Sequence, residues 1–582
     1  MSEQELKLHV PAAARPAIER ELKKQRDVSQ VRLHALYFDT ADRELARARI
    51  ALRLRQEGRD WIQTLKAPGA DAITRKEVNH ARPGPVLDLS VYAGTEFEAA
   101  LSQIKGELTL RYVTDVVRTL RKIRTRQGVV ELAYDIGMLR AGALELPISE
   151  VEFELVSGQV AALFTLGRTW LQRHGLVLDA RSKSERGDAL ATLAHVLAPA
   201  DPTALPEADE RTRAIAQFWA PRGAEGITLK PEMTPGQALS AVTAECLDQI
   251  IRNTAVMAEV DTLGVYDAGR AEHVHQLRVG VRRLRSAWRL FEGLATLPSD
   301  VLQEDIKVHF SAFGANRDQD VQDETIAPVL REAGMPDFAM PGSPPAEDAR
   351  TLAQGRAFQG WLLEMLEWSL TPQPPYTPHL VPTATEPLKA ATGAAASIAI
   401  ADEDDDVDAP AAASGQHVGE LAAMLATASG TGSAPGEAMV VPIIIPLHPA
   451  TPAHPLQARL VDRLRRWHKK VVSDGKHFAT LAIDDKHALR KRAKRLRYGL
   501  SFTESLLPAS RLKAYRKQLA QVQDVLGEFN DLAVAHERYE AAAAAHPEAW
   551  FAVGWIAARQ AALVERAEHA FRELSKTPTF WK

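Results

Sequence analysis

Hydrophobic and polar residues alternate with a period of two in several segments of the N-terminal third of the chain. The clearest segments are residues 3–10, 51–56, 129–135 and 149–155. This period is typical of β-strands that have one apolar and one polar face. Apolar residues at helical spacing predict two short helices, at residues 16–24 and 158–174. We therefore expect a mostly β domain over residues 1–197.

The pattern changes to the helical period of about 3.6 residues after the N-terminal third. Before this change, residues 198–231 are rich in proline, alanine and acidic side chains, which predicts a linker. Residues 371–455 interrupt the helical pattern with Pro- and Ala-rich sequence and an acidic run, so we expect an insertion without a stable fold. Two helical stretches remain, at residues 232–370 and 456–582.

The two helical stretches contain related sequences. HQLRVGVRRLRS begins at His275, and HALRKRAKRLRY begins at His487. Downstream of each copy, FGANRDQDV from Phe313 corresponds to LGEFNDLAV from Leu526. A repeat of this kind predicts two related helical bundles, joined by the insertion.

Composition narrows the class of protein. The chain has 582 residues, a formal net charge of −4 and one cysteine, Cys246. One cysteine excludes an internal disulfide framework and a cysteine zinc site. No run of 18 apolar residues occurs, and the acidic N-terminal sequence does not resemble a secretory signal. We expect a soluble, cytoplasmic protein with no membrane partner.

Charged residues recur on one face of the predicted strands. The first strand carries Glu3, Glu5 and Lys7 on one face, and a later strand carries Glu150, Glu152 and Glu154. Their opposite faces are apolar. Basic and acidic residues in other segments follow the same alternation: Arg53, Arg55, Lys66, Arg75, Glu77, Arg118, Glu131 and Asp135. An apolar exterior with a charged interior favours a closed barrel with a polar lumen.

The residue types suit a phosphate substrate and a hard metal. Arginine and lysine bind phosphate oxygens, and carboxylates are the ligands that Mg²⁺ or Mn²⁺ prefers. Phosphoryl transfer depends mainly on charge neutralisation and on alignment of a water molecule. The sequence gives no indication of a general base beyond a metal-bound water.

Six motifs in order resemble the CYTH, or triphosphate tunnel metalloenzyme, family. They are Glu3-x-Glu5-x-Lys7, Tyr37-Phe38-Asp39-Thr40, Leu52-Arg53-x-Arg55, Thr64-Leu65-Lys66, Glu150-x-Glu152-x-Glu154 and Ser182-Lys183-x-x-Arg186-Gly187. The resemblance implies an antiparallel eight-stranded β-barrel that hydrolyses triphosphates with a divalent metal.

The resemblance also implies a role for each matching residue. The metal ligands would be Glu3, Glu5, Asp135, Glu150, Glu152 and Glu154. The substrate-binding residues would be Lys7, Arg53, Arg55, Lys66, Arg75, Arg118 and Lys183. Of these, Glu3, Glu5 and Lys7 would form the catalytic group. Family members act on inorganic triphosphate, thiamine triphosphate or nucleotides, so the family alone does not fix the substrate.

Basic residues also lie in rows on two predicted helices. One row consists of His275, Arg278, Arg282, Arg285 and Arg289, and the other of His487, Arg490, Lys494 and Arg497. Each row falls within a narrow arc at about 100° per residue. Asp318, Asp320 and Asp531 are candidate internal partners. Few aromatic residues accompany the rows, which argues against nucleic acid.

The helical region resembles the CHAD domain, which is named for its recurring histidines. The resemblance implies two four-helix bundles with a basic surface that binds polyphosphate. The predicted function is therefore hydrolysis of inorganic triphosphate to diphosphate and phosphate with Mg²⁺ or Mn²⁺, with polyphosphate as a second ligand. The alternatives are a thiamine or nucleotide triphosphatase, an adenylyl cyclase, and a polyphosphate-binding protein without enzymatic activity.

Overall fold

The structure is a computed structural model. It describes residues 2–198, 218, 220–258, 260, 271–321, 326–338, 340, 347–374 and 456–581, and side chains are described in all of these ranges except for Ser2 and residues 315–321. All the described elements belong to one compact unit. The predicted insertion lies outside the described residues.

The N-terminal part is a closed antiparallel barrel of eight strands. The strands are β1 (Ser2–His9), β2 (Val28–Asp39), β3 (Ala51–Glu57), β4 (Asp60–Pro68), β5 (Thr74–Arg82), β6 (Thr109–Arg124), β7 (Gly128–Ala141) and β8 (Leu144–Gly158). They pair in the order β5-β4-β3-β2-β6-β7-β8-β1, and pairing of β1 with β5 closes the barrel. A short strand, β9 (Val177–Leu178), pairs with the outer part of β1. The predicted barrel is confirmed.

Five helices accompany the barrel: α1 (Arg15–Lys23), α2 (Glu44–Arg47), α3 (Glu98–Leu101), α4 (Ala161–His174) and α5 (Lys183–Leu197). Gly175, with φ 64°, ends α4 in the left-handed conformation that glycine adopts readily. Ser182 caps α5 by accepting a hydrogen bond from the Glu185 N–H at 3.1 Å.

Helix α5 lies inside the barrel. Its Leu190 and Ala191 pack in one apolar cluster with side chains that share the parity of the charged lumen residues. These side chains are Leu33, Ala35, Tyr37, Val116, Leu139, Leu146 and Ile148. The helix therefore fills one end of the lumen, and its first turn points toward the charged part.

The C-terminal part consists of helices α6 (Pro235–Met257), α7 (Ala271–Phe291), α8 (Asp300–Val321), α9 (Ala327–Glu332), α10 (Ala349–Gln354), α11 (Arg356–Leu370), α12 (Leu456–Gly475), α13 (Ile483–Phe502), α14 (Ala509–Ala543) and α15 (Ala549–Lys576). Helices α6, α7, α8 and α11 form one bundle, and α12 to α15 form a second. Helix α7 contacts α12 and α13, so the two repeated helices meet where the bundles join. The prediction of two related helical bundles is confirmed.

The barrel and the first bundle share one hydrophobic core. The outward side of β1 places Leu6, Leu8 and Val10 in this core at 0–1% exposure. Helix α4 lies between β1 and α11, where Gly167 allows close approach of Leu6 and Leu363. None of the described helices is long and apolar enough to cross a membrane. The exact domain boundaries stay a prediction.

Candidate active site and basic surface

The strand register places the predicted charged residues on the inner face of the barrel. Lys7 lies opposite Glu152, and Glu5 lies opposite Glu154, across the β1–β8 pair. Closure between β1 and β5 sets Glu3 opposite Arg75. Alternation along each strand therefore brings residues that are far apart in the sequence into one lumen.

One group of carboxylates surrounds a lysine from α5. Oxygen atoms of Asp135, Glu150 and Glu152 lie within 4.8 Å of one another, a spacing that could hold a metal ion. The Lys183 Nζ lies 2.7 Å from Asp135 and 2.8 Å from Glu152, and it also pairs with Glu150. Arg118 donates to Asp135 at 2.7 Å and to Glu152 at 2.5 Å. We call these three acidic residues the carboxylate cluster.

The cations compensate the charge of the carboxylate cluster. Burial alone would raise the pKa of Glu152, but Lys183 and Arg118 outweigh it and hold this pKa well below its usual range. Burial disfavours charged Lys183, yet Asp135, Glu150 and Glu152 hold its pKa well above the ordinary value. Glu152 is therefore ionised, and the Lys183 ammonium group lies in contact with all three acids.

A second acidic group has too little positive charge around it. Burial, followed by the nearby charges of Glu77 and Glu154, raises the pKa of Glu3 to about 7. Burial and the charge of Glu131 also raise the pKa of Glu154. Raised carboxyl pKa values mean that these groups would bind a proton or another cation in the metal-free protein. We call Glu3, Glu5 and Glu154 the acidic wall.

The lumen also contains crowded cations. Burial, followed by the charge of Arg53, lowers the pKa of Arg55 to about 10. Lys66 lies 3.2 Å from Glu5 and 3.3 Å from Glu77, and Arg53 lies 3.3 Å from Glu77. We call Arg53, Arg55 and Lys66 the basic wall. An anion between its side chains would relieve the repulsion between Arg53 and Arg55.

Lys7 and Arg75 complete the predicted set. Arg75 lies 3.5 Å from Glu5. The buried Nζ atom of Lys7 has no hydrogen-bond partner among the described residues, and its nearest acidic atom, on Glu150, lies 4.0 Å away. A buried ammonium group with so little direct compensation is suited to bind an added anion.

Two lumen residues were missing from the predicted set. Arg186 donates to Glu150 at 3.0 Å and is 3% exposed. Asp179 is 2% exposed; burial opposes its ionisation, but Arg181 and Lys7 hold its pKa below the usual range. Arg186 belongs to the same motif as Lys183, which could have indicated it, whereas no motif indicated Asp179. Glu77, which the sequence placed in the lumen without a role, bridges Arg53 and Lys66.

The donor set suits a divalent cation with oxygen ligands. The carboxylate cluster offers three oxygens at suitable separations, and burial together with neighbouring carboxylates raises the pKa values of Glu3 and Glu154 in the acidic wall. Both groups provide only carboxylate oxygens, which are hard ligands of the kind that Mg²⁺ and Mn²⁺ prefer. The residues present therefore fit such a metal.

The two predicted basic rows meet where α7 faces α13. Phe310 of α8 lies beneath three guanidinium groups of α7, with its ring centre 4.9 Å from Arg278, 5.9 Å from Arg282 and 6.0 Å from Arg285. Neither Arg282 nor Arg285 has an ion-pair partner within the described part of the chain. Sequence reasoning missed Phe310, because it belongs to a different helix from the arginines. At the end of this row, Arg289 contacts Glu292 at 3.4 Å.

Lys494 lies where the two rows converge. Burial, then the charges of Arg490 and Arg282, lower its pKa to about 7. Arg490 lies 3.7 Å from Asp531, as the sequence predicted for one internal partner. Arg497 is exposed and lies above the ring of Tyr498. We call Arg282, Arg285 and Lys494 the basic cleft.

The two predicted histidines each lie at the start of a basic row. The His487 Nδ1 is hydrogen-bonded to the Asn530 side-chain oxygen at 2.5 Å. His275 is partly buried on α7, before Arg278. The side chains of Asp318 and Asp320, the other candidate partners, lie outside the described residues.

Comparison with protein families agrees with this architecture. The CYTH domain model matches residues 1–187, and the CHAD domain model matches residues 241–540. The chain belongs to the CHAD family and carries an N-terminal CYTH domain.

Individual relatives match parts of the chain. An inorganic triphosphatase from Haemophilus influenzae is 34% identical over 165 residues, which make up 27% of this chain and 45% of that protein. The match thus spans less than half of this curated relative.

Two solved structures also resemble parts of the chain. A CHAD domain from the plant Ricinus communis is 22% identical, covers 62% of this chain and 99% of its own, and has a TM-score of 0.37. A Hippeastrum protein, described as a candidate adenylyl cyclase with a dominant triphosphatase activity, is 20% identical. It covers 31% of this chain and 92% of its own, with a TM-score of 0.24.

Proposed function

We propose that the barrel hydrolyses inorganic triphosphate to diphosphate and phosphate with Mg²⁺ or Mn²⁺. The main supporting observation is the imbalance of charge within one lumen. The pKa of Glu3 is raised to about 7 on the acidic wall, and the pKa of Arg55 is lowered to about 10 on the basic wall. A metal ion bound to a phosphate chain would relieve both imbalances, because it adds a cation to one wall and an anion to the other.

Each group of side chains then has a distinct role. The acidic wall and the carboxylate cluster would hold the divalent cation, which supplies charge neutralisation when bound. The basic wall, with Lys7, Arg75, Arg118 and Lys183, would bind phosphate oxygens and hold the chain in line with an attacking water. Burial strengthens these interactions, because charges that are shielded from bulk water attract one another more strongly.

The choice of inorganic triphosphate rests on the relative from Haemophilus influenzae, whose name states that activity. Thiamine triphosphate and nucleotides carry an organic group that would need an apolar or aromatic site beside the phosphates. In the described barrel, the stacked lumen pair Tyr37 and Tyr112 is buried in the apolar cluster that includes Leu190 and Ala191 of α5. We therefore favour the substrate that has no organic group.

Phosphate release tests this function. We expect the wild-type protein with Mg²⁺ to release phosphate faster from tripolyphosphate than from ATP or thiamine triphosphate, and Glu5→Ala to reduce release by about 10²–10³-fold. Glu145→Ala is the control, because this exposed β8 glutamate pairs with Arg140 outside the lumen. Equal rates for wild type and Glu5→Ala would exclude the lumen as the active site. Cyclic AMP formation from ATP would favour the cyclase alternative.

We further propose that the basic cleft binds inorganic polyphosphate. The supporting observation is the low pKa of Lys494, which burial and neighbouring arginines cause and which a bound anion would reverse. Phosphate chains match this arrangement, because guanidinium groups bind their oxygens bidentately.

Binding of a long polyphosphate chain tests the second proposal. Arg282→Gln combined with Lys494→Gln should weaken polyphosphate binding at least tenfold. Added salt should weaken the binding that remains in this double variant. Arg466→Gln is the control, because it removes an exposed arginine of α12 that pairs with Asp462. Exposed charge contacts contribute about 0–1 kcal/mol, so this variant should keep the polyphosphate affinity within about twofold of wild type. Stronger binding of single-stranded DNA than of polyphosphate would contradict this assignment. If no triphosphate is hydrolysed but polyphosphate binds, the protein is a polyphosphate-binding protein without enzymatic activity.

A further inference from the structure

The lumen contains one segment that is held from outside the barrel. Residues 177–186 run from β9 to the first turn of α5 and include three residues that reach the charged lumen. These residues are Asp179, Lys183 and Arg186. Because Lys183 contacts all three acids of the carboxylate cluster, a small shift of this segment would change the charge balance of the cluster.

The first attachment is a hydrogen bond from the start of the segment to α11. The Leu178 N–H donates to the side-chain oxygen of Gln359 at 2.8 Å. The side-chain nitrogen of Gln359 donates to the Ala353 carbonyl at 2.6 Å, so both ends of this buried amide are engaged. An amide fixed in this way sets the position of the β9 backbone relative to the first helical bundle.

The second attachment is an ion pair from the end of the segment to α6. Both guanidinium ends of Arg252 contact the Glu185 carboxylate in the first turn of α5. Asp248, one turn earlier on α6, accepts a hydrogen bond from the Arg252 Nε at 2.7 Å and orients its side chain. Arg222 contacts the second oxygen of Asp248 at 3.1 Å. Glu185 is therefore held by Arg252, whose side chain is oriented by Asp248, and Asp248 is in turn held by Arg222.

We propose that Arg252 and Gln359, both outside the barrel, are positioning residues for the active site. They hold the two ends of segment 177–186 so that Lys183 stays within the carboxylate cluster. The helical region therefore affects the chemistry of the lumen through this segment. This inference rests on the proposed triphosphatase function, but its central readout does not require turnover.

A third contact between the two parts provides a matched comparison. Arg168 of α4 forms an ion pair with Glu367 of α11, in a partly buried setting like that of Arg252. Helix α4 contributes no residue to the predicted lumen set. Loss of this pair should therefore weaken the packing of the two parts without moving Lys183.

Displacement of Lys183 has a specific signature. It removes a cation from the carboxylate cluster, so a divalent ion should bind more tightly to the substrate-free protein. It also removes a phosphate-binding group, so kcat/KM for tripolyphosphate should fall. A variant that only loosens the fold would weaken metal binding and activity together, so the opposite directions of the two changes identify a positioning effect.

The experiment measures Mn²⁺ affinity by titration calorimetry and kcat/KM for tripolyphosphate in the full chain. Lys183→Met removes the cation itself and so provides the reference: tighter Mn²⁺ binding together with a lower kcat/KM. Arg252→Met should show the same pair of changes, with Mn²⁺ binding about threefold tighter and kcat/KM about tenfold lower. Arg252→Lys should bring both the Mn²⁺ affinity and kcat/KM most of the way back to the wild-type values. Arg168→Met should leave the Mn²⁺ affinity within about 1.5-fold of wild type. Gln359→Met should resemble Arg252→Met.

A cycle with Glu185→Gln tests the route of the effect. If Arg252 acts through Glu185, the double variant should be no more affected than either single variant. Glu185→Gln also provides a conservative test if Arg252→Met fails to fold. Unchanged Mn²⁺ affinity in Arg252→Met and Glu185→Gln, or equal changes in Arg252→Met and Arg168→Met, would overturn the proposal. If wild type releases no phosphate but the Mn²⁺ affinities follow the expected order, the proposed substrate is wrong and the positioning role stands.

Discussion

Individual charges in the lumen differ in how well they are compensated. Lys183 lies among three acids, whereas Glu3 is close to the like charges of Glu77 and Glu154, and Arg55 is close to that of Arg53 although it pairs with Glu57. The sequence predicted which residues face the lumen, because alternation along a strand is a local property. It could not predict the imbalance, since this depends on distances between β1, β3 and α5 that only the closed barrel sets.

The raised pKa of Glu3 predicts a pH dependence of metal binding. The folded, metal-free protein holds a proton on Glu3 below about pH 7, and a metal ligand must lose it. Mn²⁺ binding should therefore release protons and weaken as pH falls from 8 to 6. Calorimetric titrations in buffers of different ionisation enthalpy measure this release.

Glu3→Gln removes the titrating group. The variant should bind Mn²⁺ more weakly than wild type, and its Mn²⁺ affinity should change less over this pH range.

The raised pKa of Glu3 also affects the stability of the protein. The folded state binds more protons than the unfolded state between about pH 4.5 and 7, so Glu3 makes the metal-free protein less stable as pH rises through this window. Glu3→Gln should accordingly raise the unfolding temperature at pH 8. An unchanged pH dependence in the variant would contradict this prediction.

The pKa of Lys494 predicts the pH dependence of polyphosphate binding. At pH 6 this lysine is mostly charged, and at pH 8 it is mostly neutral in the free protein. Binding should therefore be stronger at pH 6, and part of the difference should disappear in Lys494→Met. The other charged groups that act on its pKa are Arg282, Arg490, Arg497 and Asp531. Binding that strengthens from pH 6 to pH 8 would contradict the assignment of Lys494 to the site.

The strands and the helices were not equally predictable. Alternation identified β1, β3, β7 and β8; the structure shifts β1 by one residue, lengthens β3 by one, and extends β7 and β8 to 128–141 and 144–158. Helix α5 was known only as a sequence motif with useful charges. Its place inside the barrel depends on the packing of Leu190 and Ala191 against lumen side chains of four strands. Such packing between distant segments cannot be predicted from a local sequence pattern.

A glycine on α5 tests the packing of this helix within the barrel. A methyl group on Gly187 would lie 2.2–2.7 Å from ring atoms of Tyr112, whose ring stacks on Tyr37. Gly187→Ala should therefore destabilise the protein by about 1–3 kcal/mol and reduce phosphate release, because the first turn of α5 carries Lys183. Unfolding in urea and the phosphate assay measure the two effects.

Gly554 provides the control for this change. It lies within α15, and a methyl group there would meet no atom within 4 Å. Gly554→Ala should be neutral or should stabilise by up to about 1 kcal/mol, because alanine favours a helix more than glycine does. If both variants behave alike, the predicted contact between Gly187 and Tyr112 is not a constraint on the fold.

The order of the two parts along the chain was predictable, but their shared core was not. The apolar face of β1 could have been covered by any element, and only the structure shows α4 and the first helical bundle behind it. The repeat of His275 and His487 predicted two bundles, whereas the approach of Arg282 to Lys494 depends on how the bundles join.

The shared core predicts cooperative unfolding. Peptides from β1 and from α6 should lose protection against hydrogen exchange at the same denaturant concentration, because burial of Leu6 and Leu8 depends on both parts. Hydrogen-exchange mass spectrometry across a urea series measures this. Loss of protection in α6 well before β1 would show that the barrel is stable by itself.

Neither face of strand β1 is open to bulk solvent along most of its length, because one face is only partly exposed and the other is buried. Glu5 and Lys7 line the lumen, while Leu6 and Leu8 are covered by the core. Neighbouring positions of this strand therefore meet different requirements. Substitutions at one set would leave an abundant but inactive protein, and substitutions at the alternate set would leave little protein at all. Two separate requirements therefore apply to neighbouring positions of one short strand, and a library of variants would separate them by protein abundance and by activity.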